Sequence, residues 1–252
     1  MKKFFKANWK TLLFFALAGL IGGYFVGLYI LDGYPAEIRR QIAEQGLGNM
    51  VVAALTAVQY AWYGAVLGAA GIYLGKKIGL WKGERSITKK PLLAAIAVGV
   101  VGGLALILPD MLYFGKHSQA IADSYAVKPS LDYVFGMVVL GGVTEEVMLR
   151  LFAMSLAALL LHKAFAKGAE KVSEKTLMTA NIIAAVLFAA GHLPATAMLL
   201  GLTPMTIFRC FLLNGSFGLA FGWLYRKHGL RYAMIAHGGC HVVSKLIWIL
   251  FI

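Results

Sequence analysis

The chain has 252 residues, 60% of them hydrophobic and 14% charged, with a formal net charge of +13. Soluble domains carry about 25% charged residues. That composition, with a mean hydropathy of +0.75, excludes an ordinary water-soluble fold and makes the bilayer the natural solvent. The basic excess does not mark a nucleic-acid partner, because the lysines and arginines cluster between apolar runs, as the positive-inside rule expects. Cys210 and Cys240 both lie in apolar runs and no CxxC pair occurs, so neither a disulfide framework nor a thiolate metal site is expected.

About 20 apolar residues cross a bilayer core of about 30 Å as helix. The first such run covers 11–31, after Lys2, Lys3, Lys6 and Lys10. Its length, and the lack of a clean small-x-small site after it, predict a retained span rather than a signal peptide. Residues 35–46, PAEIRRQIAEQG, read as an amphipathic helix lying at the interface. A second span covers 50–75, followed by Lys76, Lys77, Lys82, Arg85, Lys89 and Lys90, and a third covers 91–115. Asp110, after Pro109, reads as interfacial.

The fourth span covers 132–161 and leads to Lys163, Lys167, Lys171 and Lys175; the fifth covers 177–192. Residues 193–204 carry Pro194, Gly201 and Pro204, so a short eighth membrane helix or a re-entrant segment is expected there. The sixth span, 205–225, is followed by Arg226, Lys227 and Arg231, and the seventh covers 232–252. The strongly basic connections, every second one along the chain, all fall on one side if every span is real, which puts the N-terminus in the cytoplasm of a multi-pass cell-membrane protein. The fold expected is all-α, a polytopic transmembrane helix bundle of seven to eight spans. It forms a single integral membrane domain over 1–252, with N-terminal spans in 1–115 and a catalytic core at about 130–245. The 29 glycines, in runs such as Gly19 to Gly27 and Gly215 to Gly222, read as sites of close helix packing.

Ionisable groups inside a span cost on the order of 3 kcal/mol by insertion scales and are functional candidates by default. Here they are Glu145, Glu146 and Arg150 in the fourth span, His192 at the end of the fifth, Arg209 in the sixth, and His237 and His241 in the seventh. Glu146 and Arg150 are four apart and can pair on one helix face. Glu145, rotated by about 100°, can face another helix, so one carboxylate is free to work while the other supports. Phe188 lies one turn before His192 and can pack on its ring. His237 and His241 share a face and can ligate a metal or donate two hydrogen bonds to one oxygen. Arg209 reads as structural, and Asn181 and Asn214 as interhelical hydrogen bonds.

In order and spacing these residues resemble the CPBP family, the CAAX proteases and bacteriocin-processing enzymes also called Abi. The EExxxR motif is Glu145-Glu146-Val-Met-Leu-Arg150, FxxxH is Phe188-Ala-Ala-Gly-His192, and the last motif is His237-Gly-Gly-Cys-His241. The final position, commonly Asn in the family, is His241 here. The resemblance implies a glutamate-dependent intramembrane endopeptidase acting on a membrane-associated or lipidated protein or peptide. Glu145 would be the general base, holding the attacking water with His192; His237 and His241 would stabilise the oxyanion. Glu146, Arg150 and Phe188 would support the site. A metal-free reaction is favoured; the alternative is zinc on Glu145, His192, His237 and His241. The rival readings are a non-catalytic scaffold or immunity protein of the same fold and a small transporter, though no duplicated halves of the transporter kind occur. Nothing selects the substrate or the oligomeric state. The straight-helix map also places Glu145, His192 and His237 at three different depths, which one site cannot accommodate.

Overall fold

The structure is a computed structural model that describes residues 2–81, 83, 86–166 and 169–252. Lys82, Arg85 and Lys167 of the basic connections lie outside the described residues. Seven helices are long and apolar enough to cross a membrane. They are α1 (Lys2–Gly27), α3 (Asn49–Lys77), α4 (Lys89–His117), α6 (Leu131–Phe165), α7 (Glu174–Gly191) continued by α8 (Leu193–Leu200), α9 (Pro204–His228) and α10 (Leu230–Phe251). Two short helices, α2 (Ala36–Glu44) and α5 (Gln119–Asp123), lie in the connections. The chain is a multi-pass membrane protein with an all-helical bundle fold, as the apolar runs predict.

The helices begin where the side chains offer a cap. Ser130, Ser173 and Thr203 each accept a hydrogen bond from a backbone N–H three residues on, replacing a partner the first turn lacks. Thr203 and Thr206 complete a reciprocal capping box, with Pro204 opening α9. Between α9 and α10 the link is Gly229 alone, at φ 111°, a backbone region that glycine enters without a Cβ penalty.

The outward faces are hydrocarbon: Leu55, Val58, Val101 and Leu112 are 60–66% exposed, which only lipid would cover cheaply. Inside, Phe15 of α1, Ile72 of α3, Ala95 of α4, Leu151 of α6, Phe221 of α9 and Ala236 of α10 belong to one contiguous core. The early spans therefore pack directly on the later ones. Where α1 crosses α3 the backbones touch; a Cβ on Gly64 would approach the Phe15 carbonyl carbon to 2.7 Å. The amphipathic α2 has no residue buried by the rest of the chain, consistent with an interfacial position.

Several sequence expectations need adjustment. The 193–204 segment is not an eighth crossing: α8 has eight residues, about 12 Å of helix, and continues α7 past a bend at His192. Asp110, read as interfacial, has its carboxylate inside the protein. It is fully buried, bound in bidentate fashion by Arg209 at 2.6 and 2.5 Å and by the Tyr125 hydroxyl at 2.7 Å. Arg209 is structural, as read. Asn181 does bridge helices, donating to the Leu219 carbonyl at 3.0 Å, whereas Asn214 bonds back to Cys210 within its own helix. The basic connections gather at one end, where Arg226 and Lys227 pair with Glu174 at 2.8 and 3.1 Å and the Thr88 N–H donates to the Tyr232 hydroxyl.

Candidate active site

The site is organised by an irregularity in α6. Residues Leu140–Glu145 and Val147–Met154 form π-helical turns, which widen the helix and occur often at functional sites. Two adjacent carboxylates leave this stretch in different environments. Glu146 has no exposed surface, while the Glu145 side chain keeps 21% of its own. Oε1 of Glu146 accepts from Nδ1 of His237 at 2.8 Å and faces the Arg150 guanidinium at 3.0 Å. The Arg150 contact is an ion pair without hydrogen-bond alignment, since the terminal guanidinium nitrogens have no hydrogen-bond partner. Aromatic faces take up the remaining charge: Phe188 lies 4.5 Å and Phe221 5.4 Å from the guanidinium carbon.

Glu145 makes no hydrogen bond to another described side chain. Its Oε2 stands 3.8 Å from Nε2 of His237, too far for a direct bond. His237 is thus held between the two carboxylates, one at each ring nitrogen. Phe221 stacks on it at 4.6 Å and 19°. On its other side His241 stacks at 5.0 Å and 25°.

His192 joins the group through Phe188. That ring meets His192 edge-on at 4.7 Å and His237 at 5.6 Å. Nδ1 of His192 bonds the Phe188 carbonyl at 2.8 Å. A carbonyl only accepts, so that nitrogen carries the proton, and Nε2 of the neutral ring is left with its lone pair. His192 and His237, which the straight-helix map holds at different depths, thus lie against the same ring.

Gly141, one turn before Glu145, completes the arrangement. A Cβ there would lie 2.6 Å from Nε2 of His241 and 3.2 Å from Nε2 of His237. The two nitrogens therefore converge over a glycine that leaves them room. Gly142, next along, faces Gly238 instead.

Glu145 and His241 both neighbour His237, Glu146 and Arg150 brace it from the buried side, and Phe188 ties it to His192. Sequence reasoning missed Gly141 and Phe221. The Gly-Gly pair four residues before Glu-Glu was a visible signal for the first; the second sits in an apolar run that gives none. As to metal, the anchored Nδ1 atoms of His192 and His237 leave ligand lone pairs at Nε2. Among the described residues, however, no three His, Cys, Asp or Glu side chains converge closely enough to hold an ion. The donor types are ones that zinc takes.

No curated protein and no solved structure matches the chain. A family model does match, over residues 128–243, and it is described as type II CAAX prenyl endopeptidase Rce1-like. By this segment, which carries Glu145, His192, His237 and His241, the chain is similar to the type II CAAX prenyl endopeptidases, in line with the resemblance its motifs carry.

Proposed function

We propose that the protein hydrolyses a peptide bond in a membrane-associated or lipidated protein or peptide, with Glu145 as the base that activates water. The observation that carries this is the division of labour between adjacent carboxylates. Glu146 is sealed by Arg150 and His237, while Glu145 is reachable and unpaired at hydrogen-bond distance. A general base must reach the proton it removes, and only Glu145 of the two can.

Water held between Glu145 and the lone pair of His192 Nε2 attacks the scissile carbonyl. Glu145 takes its proton and delivers it to the leaving amine. The oxyanion forms where the Nε2 atoms of His237 and His241 converge over Gly141. For His241 the unpartnered Nδ1 leaves the proton free to reside on Nε2. His237 commits Nδ1–H to Glu146, which fixes the ring so that Nε2 points to the same place. The reaction we infer is metal-free, supported by the spread of the donors. The gathering of the basic connections at one end supports an N-terminus in the cytoplasm of the cell membrane.

The test is cleavage of quenched prenylated peptides by the purified full chain in detergent. Cleavage lost in Glu145→Ala, with elution and thermal unfolding unchanged, supports the proposal. Equal cleavage by that variant would overturn it.

A further inference from the structure

A cleft of about 890 Å³ opens on the side of the α6–α10 contact away from the catalytic residues, within the 300–1,000 Å³ or so typical of small-ligand sites. Gly142 and Gly238 form part of its floor, each next in sequence to a residue, Gly141 or His237, that faces the other way. None of Glu145, His192, His237 and His241 lines it. Its walls are apolar, from Phe14 of α1, Val139 of α6 and Ile235 and Val242 of α10.

The mouth is cationic. Arg226, Lys227 and Arg231 line it, together with Thr88. Arg226 and Lys227 share a single carboxylate, Glu174, so that pairing leaves a surplus positive charge. The Arg226 side chain is only 3% exposed, yet its Nε has no hydrogen-bond partner. A buried guanidinium donor without an acceptor is costly and is matched by an oxygen-rich anion at the mouth.

We infer that this cleft binds one anionic phospholipid, its phosphate at Arg226 and Lys227 and an acyl chain between α1, α6 and α10. An uncharged prenyl chain would satisfy the walls but not the mouth, so the lipid of a substrate is the poorer match. The occupant is a resident lipid, bound behind the catalytic helices rather than in front of them.

Native mass spectrometry of the full chain in detergent, titrated with phosphatidylglycerol and with phosphatidylcholine of the same chains, tests this. The expected result is one molecule of phosphatidylglycerol bound at least about fivefold more tightly, the effect of roughly one basic group at an anionic head. Lys227→Ala should remove most of that preference. Val242→Trp, at a 39% exposed position, should reduce binding of both lipids by filling the cleft while the chain elutes normally. Equal affinity for the two lipids, or binding indifferent to Val242→Trp, would overturn the inference. So would displacement of phosphatidylglycerol by an uncharged prenylated peptide. Because the readout is lipid mass, it stands apart from whether the protein cleaves peptides.

Discussion

His237 reaches Glu146 through Nδ1 at 2.8 Å, and this contact makes the carboxylate that pairs with Arg150 also the group that aims the His237 ring. Glu146 and Glu145 should therefore fail in different ways. Glu146→Ala leaves Arg150 buried without its counter-ion and should cost about 3–5 kcal/mol of stability, read as a lower unfolding temperature in detergent. Glu145→Gln should leave that temperature unchanged and reduce kcat by roughly 10²–10⁴-fold.

Gly141→Ala inserts a methyl 2.6 Å from Nε2 of His241. It should lower kcat on the order of 10²-fold, as loss of one oxyanion donor does. Gly142→Ala meets backbone of Gly238 at 3.1 Å and should chiefly destabilise, by about 1–3 kcal/mol. Comparing kcat with unfolding temperature for the two variants separates these outcomes.

Phe221 stacks on His237 and borders Arg150. Phe221→Leu keeps an apolar side chain but loses the stack, worth about 0.5–1.5 kcal/mol. A fall in kcat with KM nearly unchanged is expected, because the ring it positions acts on the oxyanion.

Tyr125 lies outside the spanning helices, and burial, followed by the charge of Asp110, raises its hydroxyl above the ordinary tyrosine value. The folded state then holds this proton more tightly than the unfolded chain. The resulting stability is complete below about pH 10, the unfolded value, and is lost as pH rises toward the folded one. Tyr125→Phe should remove that part of the alkaline loss in thermal unfolding, though it forfeits the hydrogen bond to Asp110.

Chelation should leave peptide cleavage intact if the reaction is metal-free. Stoichiometric zinc in the purified protein, lost on His192→Ala or His237→Ala, would move the chemistry to the ion. Metal content and activity measured on the same sample decide between them.

The spans were legible because apolar run length is a one-dimensional signal; Leu131–Phe165 differs from the expected 132–161 only at its ends. The Glu146–Arg150 pair was legible from four-residue spacing, which survives the π-helical irregularity. The link from His192 to His237 through Phe188 was not, because it depends on how two helices pack, which has no periodic signature. The burial of Asp110 was hidden because its partners, Tyr125 and Arg209, are 15 and 99 residues away. Phe221 was hidden for a related reason: an aromatic residue in an apolar helix looks the same whether it faces lipid or a histidine.

The single-residue link at Gly229 has a mechanical consequence. Phe221 and His237 each lie eight residues from it, on the two helices that it joins, so a link with no slack sets the register in which the two rings meet.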